Sequence, residues 1–247
     1  MSKGTLKQIL LLTDGCSNQG EDPVAIAALG KEQGITTNVI GVLEEGMMSQ
    51  QGEKEVEEIA LAGGGISQIV YAKQLAQTVQ MVTRKAMTQT LHGVVNKELS
   101  SILGKNQELD DLPPEKRGEV MEIVDELGET IRLEVLILVD TSASMKTKLP
   151  MVQEALTDLS VSLNSRVGEN RFSLYSFPGK RKEVDQLLDW TPKIESLTGK
   201  FQKLTVGGVT PTGPALQAAL LNFGRRQDKR SLISRGHEED YMEESGF

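Results

Sequence analysis

The segment 133–145, with the sequence LEVLILVDTSASM, constrains the fold of this chain more than any other segment does. Its first half is mainly Leu, Val and Ile, which predicts a strand buried on both faces of a sheet. Asp140, Ser142 and Ser144 follow at alternate positions, where this strand ends. Side chains two residues apart in an extended segment point the same way, so the three can converge at the carboxyl end of the strand, where open α/β sheets place ligands. One carboxylate and two hydroxyls favour Mg²⁺ or Mn²⁺ over zinc.

This pattern resembles the Asp-x-Ser-x-Ser motif of the von Willebrand factor type A (vWA) family, which forms a metal-ion-dependent adhesion site. The family site also has a Thr in a Gly-Gly-x-Thr loop before a helix, and an Asp at the end of a later strand, typically in Thr-Asp-Gly. The segment GGVTPTGPAL, residues 207–216, supplies Thr210, and the segment ILLLTDG, residues 9–15, supplies Asp14. Each piece of the family motif is therefore present.

The order of these pieces along the chain differs from the family order. The family has Asp-x-Ser-x-Ser first, then the Thr and then the Asp, whereas here the Asp comes first. The resemblance therefore implies a circularly permuted domain, in which residues 6–103 match the second half of the family pattern and residues 133–223 the first half. Residues 104–132 would be a connector. We expect one permuted domain over residues 1–232, followed by a charged tail over residues 233–247.

Alternating strand and helix patterns predict an α/β fold with a parallel sheet. Strands are predicted at 6–13, 35–43, 66–72, 133–139, 171–177 and 183–190, and helices at 23–33, 53–62, 73–103, 114–127, 148–166, 194–204 and 214–223. Gly63, Gly64 and Gly65 are predicted to cap a helix and turn. The resemblance to the vWA family implies a Rossmann-like three-layer fold: a mostly parallel six-stranded sheet with one antiparallel edge strand and helices on both faces.

The resemblance also implies the role of each site residue. Ser142 and Ser144 would bind the ion directly, Asp140 and Asp14 would bind it directly or through water, and Thr210 would join when the site is engaged. A remaining coordination position would accept an Asp or Glu from a partner protein. Because the set has only two carboxylates, a divalent ion would keep positive charge for that anionic guest. We therefore expect a metal-dependent protein-binding domain, with Mg²⁺ or Mn²⁺ and without catalytic residues.

Other functions compete with this interpretation. A Mg²⁺-dependent hydrolase or phosphatase could use the same oxygen ligands, although the sequence shows no evident general base beyond them. Alternatively, the Asp-Ser-Ser loop is only a turn in a Rossmann-like domain. A P-loop NTPase is disfavoured because Pro214 stands where the motif needs Lys. A serine hydrolase lacks the G-x-S-x-G elbow, and its imidazole base would have to be His92 or His237.

Composition narrows the class of partner and the compartment. The net charge of −8 and the pI of about 5.0 argue against a nucleic-acid-binding protein. We expect no membrane span, since no apolar segment approaches the length of about 20 residues that a bilayer requires. The N-terminus lacks a secretory hydrophobic region, and the single cysteine, Cys16, excludes an internal disulfide framework. These features predict a cytoplasmic protein, and the resemblance is to the stand-alone intracellular vWA proteins of bacteria, which often act as adaptors.

Two further possibilities concern contacts between chains. A domain-swapped dimer would supply Asp14 in trans, and the sequence does not determine the oligomeric state. In the tail, Glu238, Glu239 or Asp240 could serve as a pseudo-ligand for a neighbouring molecule's site, although a solvated charge run is the simpler interpretation.

Overall fold

Six strands form one sheet in the computed structural model, which describes residues 4–44, 46, 48–103, 109–194, 198–202, 204 and 206–224. The strands are β1 (Thr5–Thr13), β2 (Ile35–Leu43), β3 (Gly64–Tyr71), β4 (Arg132–Asp140), β5 (Asn170–Phe177) and β6 (Asp185–Thr191). The helices are α1 (Pro23–Glu32), α2 (Gln50–Ala62), α3 (Leu75–Leu103), α4 (Pro114–Thr130), α5 (Leu149–Asn164), α6 (Thr198–Phe201) and α7 (212–224). No helix in these ranges is both long and apolar enough to cross a bilayer.

The strand order in the sheet is β3-β2-β1-β4-β5-β6. The first five strands are parallel, and β6 pairs with β5 in the antiparallel sense at the edge. The predicted mostly parallel sheet with one antiparallel edge strand is therefore confirmed. The strands β1 and β4 are direct neighbours, with Leu12 opposite Val139, so their carboxyl ends lie at the same edge of the sheet.

Helices cover both faces of the sheet, as predicted. Alternate residues of β4 enter two separate cores: Val135, Ile137 and Val139 pack against α3 and α5, whereas Leu136 and Leu138 face α1, α2 and α7. All five of these side chains are at most 1% exposed. Burial on both faces is the reason why the strand shows no polar alternation in sequence.

Helix α4, which forms the main part of the segment predicted as a connector, is packed onto the rest of the chain. Helix α4 ends at Thr130, three residues beyond the predicted end, and β4 begins two residues later. Val124 of α4 is 1% exposed and belongs to the same core as α3 and α5. At the end of α4, the guanidinium of Arg166 donates to the carbonyls of Gly128 and Ile131. The connector helix is therefore a docked element of the fold.

The glycine cluster after α2 differs from its prediction. Gly63 caps α2 as expected, but Gly64 and Gly65 begin strand β3 and are not part of a turn. Gly64 has φ +65°, and a Cβ on Gly65 would lie 2.0 Å from the carbonyl oxygen of Thr37 on β2. Glycine is required here because the backbone of β3 starts in direct contact with its neighbour.

Other boundaries also differ from the predicted ones, and α2 for example starts at Gln50, three residues before its predicted start. The helix predicted at 194–204 is limited, within the described residues, to the single turn of α6. The helix predicted to start at Pro214 starts at residue 212, so that Pro214 lies within the first turn, where its missing N–H costs nothing. The tail 233–247, with Glu238, Glu239 and Asp240, lies outside the described residues.

Candidate metal centre

Asp140 is the last residue of β4, and its side chain is completely buried. The N–H of Ser142 donates to its Oδ1 at 2.8 Å, and the hydroxyl of Thr13, at the end of β1, donates to its Oδ2 at 2.8 Å. These two bonds fix the carboxylate between the two neighbouring strands. Each oxygen still has a lone pair for another partner.

Hydrogen bonds through Ser142 and Ser144 connect this carboxylate to Asp14. Ser142 precedes a short 3₁₀ turn at Ala143–Met145, which brings its Oγ within 3.2 Å of the Oγ of Ser144. The hydroxyl of Ser144 donates to Oδ1 of Asp14 at 2.8 Å. Four of the five predicted site residues therefore form one cluster at the carboxyl edge of the sheet. Asp14 reaches it from within the same chain, so the arrangement needs no swapped partner.

Thr210, the fifth predicted residue, is buried in the loop beside this cluster and is fixed through its main chain. Its N–H donates to Oδ1 of Asn18 at 2.7 Å, and its carbonyl accepts from the N–H of Asn18 at 3.1 Å. The structure thus places Thr210 against the loop that follows Asp14, but in the part of the chain that the structure describes no hydrogen bond joins its hydroxyl to the other four site residues.

Close backbone packing holds the Thr210 loop against the loop that follows Asp14. A Cβ on Gly213 would lie 1.9 Å from the carbonyl oxygen of Glu21, and a Cβ on Gly20, which has φ +89°, would lie 2.2 Å from the ring of Pro214. Neither position has room for a side chain. These contacts hold the loop after β1 against the start of α7.

Lys148 is a member of the site that was not anticipated from the sequence. It is 7% exposed, and its ammonium pairs with Oδ2 of Asp14 and donates to the carbonyl of Ser144 at 3.1 Å. Thr13 and Asn18, which position Asp140 and Thr210, were also missed. The one signal in the sequence was the spacing of Ser144 and Lys148, because residues four apart meet on one face of a helical turn.

Burial raises the pKa of the Asp140 carboxyl to about 6. Hydrogen bonds from Ser142 and Thr13 lower this pKa and the carboxylate of Asp14 raises it, but desolvation is the largest effect. A desolvated carboxylate of this kind is stabilised by a nearby cation, which favours its charged form.

In metal-free protein, Asp140→Asn is expected to raise the free energy of unfolding above pH 6 by on the order of 2 kcal/mol, and to change it little near pH 4. The folded state keeps the proton on Asp140 up to a pKa of about 6, whereas the unfolded chain releases it near about pH 4. The stability of the wild type therefore falls as pH rises through this window, and the cost is complete above it. Asn preserves the geometry because it can accept from the N–H of Ser142 and donate to the hydroxyl of Thr13.

Urea denaturation with a chelator present, at pH values on both sides of this window, measures the difference. Asp158→Asn is the control, because Asp158 is exposed on α5 and its loss should change little at any pH. Equal stability of the wild type and Asp140→Asn above pH 6 would contradict the assignment of a buried, costly carboxylate.

The donor set fits a small divalent cation. Within the described residues, no group of three or more His, Cys, Asp or Glu side chains could hold a metal, which disfavours a zinc-type site. The cluster instead offers two carboxylates and two hydroxyls, the oxygen ligands that Mg²⁺ and Mn²⁺ accept together with water. A cation already lies on this cluster, since the ammonium of Lys148 contacts Asp14.

The comparisons with known proteins concern the family and the fold of this chain. The model of the von Willebrand factor type A domain matches residues 135–235. The uncharacterized protein YabS of Bacillus subtilis (strain 168) is 64% identical over 234 residues, which covers 95% of this chain and 96% of that protein. The crystal structure of an uncharacterized protein from Alicyclobacillus acidocaldarius has 39% sequence identity and a TM-score of 0.84, covering 91% of this chain and 96% of the other.

Proposed function

The chain belongs to the von Willebrand factor type A domain family, and from this premise we propose that it binds protein partners through a divalent metal ion. The ion is Mg²⁺ or Mn²⁺. Asp140, Ser142, Ser144 and Asp14 would hold it, with Thr210 joining from the adjacent loop. The protein acts in the cytoplasm as a binding module and not as an enzyme.

One observation carries this proposal: the hydrogen bond of 2.8 Å between Ser144 and Asp14, residues that are 130 positions apart in sequence. A loop that only forms a turn does not require a hydrogen bond to a residue that follows another strand. The alternative in which the Asp-Ser-Ser loop is only a turn therefore does not account for the cluster. Oxygen atoms from the ends of two neighbouring parallel strands converge where open α/β sheets place their ligands.

The charge of the cluster supports a carboxylate as the group captured from the partner. Two carboxylates balance the charge of a divalent ion, so the loaded site carries no excess negative charge. The other protein donors are neutral hydroxyls. Mg²⁺ retains exchangeable water when its protein ligands are few. An Asp or Glu of a partner protein can take such a position and gain a strong electrostatic contact.

We also propose that the domain is circularly permuted relative to its family. The arrangement that supports this has the Asp14 strand, β1, and the Asp140 strand, β4, as parallel neighbours in register over eight residue pairs. The chain enters β4 through the docked helix α4, which lies outside the family resemblance. Loss of metal binding on substitution of Asp14, argued in the Discussion, is the test of a site shared between the two halves.

Metal titration by calorimetry, together with thermal melting, tests the function. Mg²⁺ or Mn²⁺ at about 100-fold above its Kd is expected to stabilise the fold by roughly 2.7 kcal/mol. Acetate then serves as a probe for the partner's carboxylate. Its addition to the Mn²⁺-loaded protein should lower the relaxation enhancement of water protons, because acetate displaces water from the ion.

Two results would contradict the proposal. Absence of metal binding by the wild type would remove the adhesion-type site and leave an α/β domain without a known ligand. Metal-dependent turnover of a phosphate or carboxylate ester, lost in Asp140→Asn, would favour the hydrolase alternative.

A further inference from the structure

The ammonium of Lys148 lies on the same carboxylate that the metal would use. Lys148 precedes the first residue of α5, and its amino group contacts Oδ2 of Asp14. The side chains of Lys148 and Asp14 are 9% and 3% exposed, respectively, so this ion pair is shielded from water. Shielding makes the attraction between the two charges stronger than it would be at the surface.

Each oxygen of Asp14 accepts a hydrogen bond from within the chain itself. Oδ1 accepts from the hydroxyl of Ser144 at 2.8 Å, and Oδ2 accepts from Lys148. The carbonyl of Ser144 accepts from the same ammonium at 3.1 Å. Lys148 thus neutralises Asp14 in the metal-free protein and holds the loop after β4 in place.

A cavity of about 670 Å³ opens directly beside this ion pair. Its lining includes Lys148, Asp14 and Ser144 together with Leu43, Glu44 and Met48. Glu44 is held by the hydroxyl of Thr147 at 2.5 Å. Lys148 already lines the cavity, and its flexible stem lets its ammonium turn there without a change in the backbone.

We propose that Lys148 is a tethered cation that competes with the divalent ion for Asp14 and, once displaced, contacts the acidic side chain of the partner in this cavity. This inference rests on the proposed metal-dependent function and names the residue that sets its affinity. In the metal-free protein Lys148 pairs with Asp14; in the loaded protein its charge is available to the partner's carboxylate.

Exchange of Lys148 between two carboxylates couples the two binding events. A carboxylate that attracts Lys148 into the cavity removes the competitor from Asp14 and raises the metal affinity. By thermodynamic reciprocity, metal binding raises the affinity for the carboxylate by the same factor. The site therefore favours the state in which metal and acidic partner are bound together.

Substitution of Lys148 by Met tests the exchange. Mn²⁺ binding is measured by calorimetry on the wild type and Lys148→Met, with acetate replacing chloride at constant ionic strength. We expect Lys148→Met to bind Mn²⁺ at least about tenfold more tightly without acetate, since a shielded charge pair no longer competes. We also expect acetate to increase Mn²⁺ affinity less in the variant than in the wild type.

Thermal melting with a chelator gives an independent readout. Lys148→Met should melt at a lower temperature than the wild type without metal, because Asp14 loses its counter-charge, and should regain more stability when Mn²⁺ is added. Lys146→Met is the matched control: Lys146 is exposed two residues away, so its loss changes the net charge equally but should leave affinity and melting nearly unchanged.

A second variant keeps the test decisive if Lys148→Met does not fold. Lys148→Gln keeps a hydrogen-bond donor near Asp14 while removing the charge, and it should show the same increase in Mn²⁺ affinity. If these variants bind Mn²⁺ with wild-type affinity, or more weakly, the competition is refuted although the metal site stands. If the wild type, Lys148→Met and Lys148→Gln all fold and none binds metal, the proposed function itself fails.

Discussion

Asp14→Asn is expected to weaken Mg²⁺ binding by more than about 100-fold, with the sheet intact. Loss of a residue that hydrogen-bonds to a metal ligand typically weakens metal binding by about 10–100-fold. Loss of a charged ligand itself should therefore weaken metal binding more. Asn keeps the size of the side chain and can still accept from the hydroxyl of Ser144, but it brings no charge to the ion. The stabilisation of roughly 2.7 kcal/mol that metal gives the wild type at about 100-fold above Kd should then disappear from the melting curve.

The ion pair between Asp14 and Lys148 affects the stability of the Asp14→Asn variant. Asp14→Asn alone leaves a buried ammonium without its counter-charge, which is destabilising by about 3–5 kcal/mol in comparable buried pairs. The double variant Asp14→Asn/Lys148→Met removes both charges together and should fold like the wild type. Asp22→Asn is the control, since Asp22 caps α1 in the same region and takes no part in the cluster.

If the double variant folds and binds Mg²⁺ as tightly as Lys148→Met does, Asp14 is not a ligand. The site would then consist only of residues from the end of β4 onward, and the proposed permutation would lose the ligand from the N-terminal half. Loss of binding in the folded double variant, by contrast, would tie the beginning of the chain to the Asp-x-Ser-x-Ser loop in one functional site.

Arg166→Met is expected to lower the free energy of unfolding by about 3–5 kcal/mol. The side chain is 6% exposed and donates to the carbonyls of Gly128 and Ile131, at 2.8 Å each, and to Oδ1 of Asn170 at 2.6 Å. Met fills much of the same volume but leaves the buried amide oxygen of Asn170 and the two half-buried carbonyls without this donor. A loss of this size is a large part of the total stability of a domain, which is about 5–15 kcal/mol.

Urea denaturation gives the change in stability, and hydrogen exchange shows where it acts. The amides of α4 should lose protection first, because Arg166 holds the end of that helix against β4 and the start of β5. Arg84→Met is the matched control: Arg84 also reaches α4, through Glu129 at 3.6 Å, but is 42% exposed, so its loss should cost less than about 1 kcal/mol. Equal effects of the two substitutions on the free energy of unfolding would mean that Arg166 does not hold α4. If Arg166→Met does not fold, Arg166→Lys is the milder substitution for the same measurement.

The structure explains why the positions of the strands were predicted well while several boundaries were not. Each central strand is buried on both faces, so its apolar run is a consequence of the fold and is visible in the sequence. The boundaries depend on contacts with distant segments. Gly65 lies in a strand because its backbone meets Thr37 on β2, and the three glycines alone are typical of a turn.

The candidate site, like the fold, was predicted in part from the sequence. The spacing of oxygen-bearing residues after a buried strand indicated Asp140, Ser142 and Ser144, and the resemblance to the family motif added Asp14 and Thr210. The sequence did not indicate Lys148, whose partner Asp14 is 134 positions away, or Thr13, which donates to Asp140 across 127 positions. Such pairs depend on which strands are neighbours.

The sequence by itself therefore determined the class of fold, the strands that form the sheet and the oxygen-bearing residues at the carboxyl end of β4. These features follow from burial and from side-chain direction within single segments. Only the tertiary structure decided that β1 lies next to β4, that α4 is docked by Arg166 and that Lys148 neutralises Asp14. The physical reason is that hydrogen bonds and ion pairs between distant segments form only after the order of the strands has decided which strand ends are neighbours.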